Sequence, residues 1–167
     1  MSMESLKDLY VEQLRDLYSA ETQILKALPM MAEKAVNPEL KAAFQEHERV
    51  THDQVKRLDA IFDGLGEKSG GHHCKGMEGL LKEGQEMIKE KGDDATRDAG
   101  LIAAAQRVEH YEIAGYGCVR TYAERLGMSD HARTLQQTLD EEGETDHRLT
   151  ALAERIINPS AEQGGYS

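Results

Sequence analysis

The topology of this chain depends on one connecting stretch, GLGEKSGGHHCKGMEGLLKEGQEMIKEKG, which occupies residues 64–92. Its glycine- and histidine-rich opening is typical of a loop, and MEGLLKEGQEMIKEK then has the apolar spacing of a short helix. Simple up-and-down helical bundles need only short loops, whereas one class of four-helix bundle carries a single long crossover between its second and third helices. The length of this stretch predicts the second class.

Four long helices are predicted around this crossover, because apolar residues recur at spacings of three and four. Pro29 is expected to bend the first helix without ending it, Asn37 to cap the second, and Gly127 with Ser129 to form a tight turn before the fourth. The predicted helices run from about Met3 to Lys34, from Pro38 to Phe62, from Asp93 to Leu126 and from Asp130 to Ile157.

The predicted fold is therefore all-α, a ferritin-like four-helix bundle with a short extra helix in its long crossover. The bundle is expected to span residues 1–157 as one domain, and residues 158–167 to form a flexible tail. Gly115 and Gly117 lie inside the third helix, where we expect them to allow close approach of another helix.

Composition narrows the class of protein. A net charge of −11, from 31 acidic and 20 basic residues, disfavours binding to nucleic acid. The sequence has neither an apolar signal core nor a long apolar run, so no membrane association is expected and a cytoplasmic location is predicted. Cys74 and Cys118 do not form a CxxC pair, which fits a reducing compartment, although a disulfide between them stays open.

Polar residues interrupt all four apolar stripes near the middle of each helix. The interrupting candidates are Glu21 in the first helix, His47, Thr51 and Gln54 in the second, Glu109 and Glu112 in the third, and Glu142 and Asp146 in the fourth. An unpaired carboxylate inside a bundle costs several kcal/mol. Inward-facing Lys or Arg residues are scarce, so a pair of divalent metal ions is the natural compensation.

Counting from the two tight turns brings these positions to one level. Glu112 lies 16 residues before residue 128, so its opposite position is near residue 144, between Glu142 and Asp146. Glu21 lies 15 residues before residue 36, and its opposite position is Thr51. The sequence therefore predicts one metal-binding slab at mid-bundle. A protonated or water-linked polar network remains the alternative for the acids.

Other candidates have simpler interpretations. His47 alone is more often a hydrogen-bonded core histidine than a ligand. His72, His73 and Cys74 resemble a soft-metal cluster, but in a glycine-rich loop we interpret them as an exposed, flexible tract. Tyr111 and Tyr116 are expected to be packing residues, with an electron relay beside a metal site as the alternative.

Five segments carry a resemblance to a known family. They are LRDLYSAETQILKALPMMA (14–32), FQEHERVTHDQVKRL (44–58), CKGMEGLLKEGQEMI (74–88), AAQRVEHYEIAGYG (104–117) and TLDEEGETDHRLTALAE (138–154). Together they resemble the YciE/YciF family of bacterial ferritin-like, rubrerythrin-related proteins. The resemblance covers about residues 4–155. It implies a homodimer associated with stress responses, and a metal site.

The residues that match the family's site are Glu21, His47, Gln54, Glu109, Glu112, Glu142 and Asp146. The scarcity of imidazoles makes this set of ligands oxygen-rich, which suits iron, manganese or magnesium, and we predict a dinuclear centre of iron or manganese. Two features depart from the pattern of di-iron oxidases. Val50 stands where many relatives carry an acid or amide, and neither Glu109 nor Glu142 begins a Glu-x-x-His pair.

Two functions compete at this stage, beside mineral iron storage, which would need a closed shell of many subunits. One is a dinuclear metal protein that oxidises Fe²⁺ or handles peroxide during stress. The alternative is a non-catalytic structural or interaction protein that has kept the fold with a degenerate metal site, which Val50 and the missing histidines favour.

Overall fold

The computed structural model describes residues 3–167, and its regular structure is entirely helical over that range. The helices are α1 (Leu6–Lys34), α2 (Pro38–Leu65), α3 (Lys75–Lys89), α4 (Asp94–Arg125), α5 (Ser129–Leu152) and α6 (Asn158–Glu162), with a π-helical turn (Ala153–Ile157) joining the last two. The prediction of an all-helical bundle is confirmed. None of these helices is both long enough and apolar enough to cross a membrane.

The α1–α2 hairpin begins and turns at side-chain caps. Ser5 and Asp8 form a reciprocal capping box at the start of α1, and Pro29 lies inside this helix without ending it. At the turn, the Asn37 side chain accepts hydrogen bonds from the amides of Glu39 and Leu40 and so caps α2. The Asn37 cap and the continuation of α1 through Pro29 are confirmed, whereas a bend at Pro29 stays a prediction.

The α4–α5 hairpin turns through Gly127, which adopts a φ of 74°. This left-handed backbone conformation favours glycine and lets the chain reverse at once. Ser129, however, is the first residue of α5, while Met128 occupies the cap position without a side-chain cap. The prediction of Ser129 as N-cap is wrong, because helical geometry begins one residue earlier than the serine would require.

Helix α3 packs across α1 and α4 and covers the seam between them. Close approach explains two glycines there. A Cβ at Gly76 would lie 2.8 Å from the Tyr111 ring, and one at Gly115 would lie 2.7 Å from Leu17. Outside its own stretch of helix, nothing in residues 3–167 lies within 4 Å of a Cβ placed at Gly117, so close approach within the chain is confirmed for Gly115 and is not seen at Gly117.

The C-terminal stretch differs from the irregular tail that the sequence predicts for residues 158–167. Asn158–Glu162 is helical and follows the π-helical turn without leaving helical backbone conformation, with Pro159 as its second residue. Farther on, the Tyr166 hydroxyl donates a 2.6 Å hydrogen bond to Asp98 of α4. Contact with α4 thus gives this stretch a partner that composition alone does not reveal.

Two apolar clusters fill the bundle, one on each side of its middle. The first contains Ile24, Phe44, Val108 and Leu149, and the second contains Leu17, Leu58, Tyr116 and Leu135. On every long helix, the predicted polar residues lie between a member of one cluster and a member of the other. The fold therefore places a polar layer between two apolar ones.

Candidate metal centre

The polar layer is sealed from solvent. Exposed fractions are 0% for Glu21, Glu109 and Glu112, 1% for Glu142 and Gln54, and 4% for His47. Each residue sits within an apolar helical stripe, so the packing that buries its neighbours buries it too. The structure thus brings six of the seven predicted ligand residues into the interior.

Four of these side chains converge on one point. His47, Glu109, Glu112 and Glu142 each offer a ligand atom, and those four atoms lie within 4.8 Å of one another. The imidazole of His47 joins the two hairpins, with its Nδ1 3.1 Å from Glu109 Oε1 and its Nε2 3.9 Å from Glu142 Oε2. Spacings of this size suit donor atoms arranged around a single cation.

Nearly every ligand atom of the layer lacks a hydrogen bond of good geometry to the described protein atoms, although Glu109 Oε1 lies 3.1 Å from His47 Nδ1. These atoms are both carboxylate oxygens of Glu109, Glu112 and Glu142, Oε2 of Glu21, Nε2 of His47 and both amide atoms of Gln54. Buried polar groups are normally paired, and unpaired ones cost several kcal/mol. The residues present therefore fit a bound cation, which would satisfy the oxygens together.

No buried arginine or lysine of residues 3–167 neutralises the layer. Arg15 is the one buried basic side chain in that range, and its guanidinium binds Glu67 and the Lys68 carbonyl near the α2 end of the crossover. The layer is thus left with four carboxyl groups and one imidazole. A metal cation is the compensation that this donor set accepts.

Burial changes the proton affinity of these groups. Desolvation, followed by the nearby Glu142, raises the pKa of Glu21 to about 8 and raises the pKa values of Glu109 and Glu112 well above normal. Burial lowers the pKa of His47, so its imidazole is neutral at pH 7. A neutral imidazole is the form that binds metal, and a cation would release protons from the carboxyl groups.

Tyr116 is a member of the layer that sequence reasoning assigned to packing. Its hydroxyl donates a 2.6 Å hydrogen bond to Glu21 Oε1, and its side chain is 1% exposed. This bond orients the Glu21 carboxyl and leaves its second oxygen free for another partner. One sequence signal was available, since Tyr116 lies four residues after Glu112 and therefore on the same helical face.

Asp146 lies apart from the converging atoms. Its side chain is 13% exposed, and its carboxylate contacts Gln106 Nε2 at 3.3 Å and His110 Nε2 at 3.2 Å. One helical turn beyond Glu142, it sits on the α4-facing flank of α5 and has polar partners of its own. The level count from the turn placed it near the layer but did not resolve this rotation around the helix.

His72, His73 and Cys74 do not form one cluster, because each side chain has contacts of its own. His72 binds Glu12 and Asp16, whereas exposed His73 binds Glu78. Cys74 is fully buried, caps α3 and lies 2.9 Å from the Tyr111 hydroxyl. The expectation of an exposed tract is therefore wrong for Cys74, because packing against α4 buries it.

Both cysteines are free thiols, Cys74 in the core and Cys118 on the surface. The disulfide that the sequence left open between them is therefore not present in the described structure.

Known proteins share this architecture. A family model described as "Domain of unknown function (DUF892)" matches residues 5–162. Protein YciF of Escherichia coli strain K12 is 43% identical over 163 residues, covering 97% of this chain and 98% of the relative. The crystal structure of that stress protein superposes with a TM-score of 0.90 over 93% of this chain and 99% of that one.

Two further solved structures are similar. YcfI of Rhodopseudomonas palustris is 42% identical, with a TM-score of 0.85 over 90% of this chain and 97% of that one. A Xanthomonas campestris protein, at 21% identity and a TM-score of 0.74, covers 95% of this chain and 98% of its own and supports the fold alone. With its family model and its E. coli relative both matched over nearly the full length, the chain belongs to the DUF892 family and is similar throughout to E. coli YciF.

Proposed function

We propose that this protein is a ferritin-like stress-response protein that holds a dinuclear iron or manganese centre in its polar layer. The supporting observation is the set of buried donor atoms without protein partners on Glu109, Glu112, Glu142 and Gln54. The E. coli relative is described as a stress protein, which supports the physiological part of the proposal.

Charge balance favours two ions over one. Glu21, Glu109, Glu112 and Glu142 carry four negative charges when ionised, and two divalent cations neutralise them. His47 with Glu109, Glu112 and Glu142 would hold the first ion. Glu21 is in contact with Glu112, so these two carboxylates would hold the second, and Gln54, whose buried amide atoms have no hydrogen-bond partner among the described residues, is a further candidate ligand.

The donor set favours iron or manganese. It consists of carboxylate and amide oxygens with one imidazole, and it contains no thiolate, since Cys74 belongs to a different contact network. Oxygen-rich sites suit magnesium, calcium and manganese, and an added imidazole extends the preference to iron. Zinc sites typically carry more nitrogen or sulfur ligands.

A bound metal pair would supply the redox or Lewis-acid chemistry that acts on oxygen or peroxide, and Fe²⁺ would be the substrate of an oxidase reaction. The protein's own contribution is to exclude water through the flanking apolar clusters and to orient Glu21 through Tyr116. His47 stays neutral because of burial and so remains available as a ligand.

Metal analysis tests this proposal. Purified protein is exposed to Fe²⁺ without oxygen, or to Mn²⁺, and the bound metal is measured after desalting. We expect two ions per chain in the wild type and in Asp146→Asn, and loss of metal in Glu109→Gln/Glu142→Gln. Glu83→Gln, an exposed acid on α3, is the matched control and should bind normally. Equal metal content in the double variant and the wild type would overturn the proposal.

An oxidation assay then separates the two candidate functions. If the protein is an oxidase, Fe²⁺ oxidation in air should be faster with wild-type protein than with the double variant. A non-catalytic role is favoured by the single imidazole of the layer and by the description of the R. palustris relative as a proposed structural protein. It predicts bound metal and higher thermal stability without faster oxidation.

A homodimer is the proposed assembly, with the interface on α3 or on the outer face of α4. Light scattering of the purified protein measures its mass directly. A mass equal to a single 18.6 kDa chain would reject the dimer.

A further inference from the structure

The four seams between neighbouring bundle helices differ in how they are closed. The hairpin partners pack closely, α1 with α2 and α4 with α5. The looser seam between α1 and α4 is covered by α3, which contacts both helices. The remaining seam, between α2 and α5, has no helix packed over it within the described chain.

A groove of about 170 Å³ opens along that seam. It is lined by Glu46, Val50, Glu141, Glu144, Thr145 and Arg148. Glu46 directly precedes His47, and Glu141 directly precedes Glu142. The His47–Glu142 contact joins the same two helix segments that line the groove, so these two side chains are the members of the polar layer nearest to the groove along the chain.

The side chains of His47 and Glu142 also carry atoms without hydrogen-bond partners. Both carboxylate oxygens of Glu142 and Nε2 of His47 lack a hydrogen-bond partner among the described protein atoms. Both side chains are more than nine-tenths buried, at 1% and 4% exposed. An ion that passes the lining would therefore meet donor atoms that no protein group occupies.

The acids of the lining are not equivalent. Glu141 is held by Arg57, and Glu46 forms a 2.7 Å ion pair with Arg49. Within residues 3–167, Glu144 has no ion-pair partner, and Arg148 is the opposing charge of the groove. The free carboxylate should attract a cation, and the guanidinium should repel one.

We propose that divalent cations reach the polar layer through this α2–α5 groove, with Glu144 attracting them, Arg148 slowing them and Glu142 as the first ligand that they meet. This inference rests on the proposed metal centre. It assigns to Glu144 and Arg148 an effect on the rate of loading rather than on final affinity, because neither side chain is among the converging ligands.

Stopped-flow loading with Co²⁺ tests the route, with a metallochromic indicator following the free ion. At low ionic strength we expect loading about threefold slower in Glu144→Gln and about threefold faster in Arg148→Gln, with unchanged metal content at equilibrium. Glu83→Gln changes the net charge equally on the distant α3 surface and should load like the wild type. High salt should bring all four rates together.

A steric pair checks the same path. Val50→Trp should slow loading by filling the groove, whereas Val50→Ala should not. Wild-type rates in both charge variants, or equal slowing in Glu144→Gln and Glu83→Gln, would overturn the route while the metal centre stands. Wild-type protein that binds no Co²⁺, Fe²⁺ or Mn²⁺ at equilibrium would overturn both.

Discussion

Helix α4 buries acids in two places, which differ in whether the protein supplies hydrogen bonds to the carboxylates. Asp98, near its start, is 0% exposed and accepts hydrogen bonds from the Val36 amide at 3.0 Å, the Asn37 amide at 2.8 Å and the Tyr166 hydroxyl at 2.6 Å. Glu112, at its middle, is equally buried, and neither of its oxygens has such a partner. The same helix thus carries one satisfied acid near its start and two unsatisfied acids, Glu109 and Glu112, at its middle.

The difference separates structural acids from binding acids. Asp98 fixes the α1–α2 turn and the C-terminal stretch against α4, so its desolvation is offset within the protein. Glu112 and its neighbours accept no comparable hydrogen bonds from the protein, so the cost of their desolvation is offset only when a cation binds. Burial alone therefore does not identify a functional acid, whereas burial without a partner does.

Removal of the satisfied acid should have the largest effect on stability. Asp98→Ala deletes three hydrogen bonds and leaves two backbone amides unpaired, so the free energy of unfolding should fall by about 4 kcal/mol. Urea denaturation followed by circular dichroism measures this loss. Tyr166→Phe removes one of the bonds and should cost about 1 kcal/mol. A loss in Asp98→Ala no larger than that of Tyr166→Phe would contradict this account.

Metal should stabilise the protein through the unsatisfied acids. Mn²⁺ at about 100 times its Kd should raise the free energy of unfolding by about 3 kcal/mol, since the unfolded chain has no assembled site. Glu112→Gln should abolish this gain, and Asp98→Asn should keep it despite its lower starting stability. Thermal melts with and without Mn²⁺ give both values. An equal gain in Glu112→Gln and wild type would place the ion elsewhere.

The metal-free protein should lose stability between pH 6.5 and 8. The pKa of the Glu21 carboxyl is 4.5 in the unfolded chain and is raised to about 8 in the fold. Folding therefore takes up a proton in this window, and it becomes less favourable as the pH rises. The fall should be about 2 kcal/mol for each carboxyl that stays protonated on folding. Below pH 6.5, protonation of unfolded His47 acts in the opposite direction, so the window starts there.

Urea midpoints across that window, in the presence of a chelator, measure this effect. Glu21→Gln should reduce the loss of unfolding free energy across this window by the contribution of one carboxyl, about 2 kcal/mol. Asp98→Asn should leave the dependence of unfolding free energy on pH unchanged. A slope in Glu21→Gln identical to that of the wild type would show that Glu21 ionises normally.

The smallest effect is expected at Tyr116, whose hydroxyl donates a hydrogen bond to Glu21 in the layer. Tyr116→Phe removes the hydrogen bond to Glu21 and should cost about 1 kcal/mol of stability, together with a weaker affinity for Mn²⁺. Tyr111→Phe is the matched control, because that hydroxyl donates to Asp16 outside the layer. It should leave Mn²⁺ affinity unchanged in a titration, and an equal loss in both variants would contradict a specific role for Tyr116.

Much of the candidate site was predictable because the layer interrupts regular apolar stripes. Glu21, Glu112 and Glu142 each stand where helical periodicity requires a core residue, and the structure buries all three. Asp146 escaped this reasoning, since a level count ignores rotation about the helix axis. Asp98 was missed although it lies three residues before buried Leu101, a spacing that already marks an inward face.

The order of apolar and polar residues determines by itself that the chain is helical, where the long helices turn, and which acids face inward, because these properties depend on local periodicity and caps. Tertiary packing alone decides which buried acids are satisfied. Asp98 finds its donors 61 and 68 residues away in sequence, Tyr116 reaches Glu21 across 95 residues, and the α2–α5 seam stays open because α3 covers another one. Such contacts join distant residues, and no local pattern encodes them.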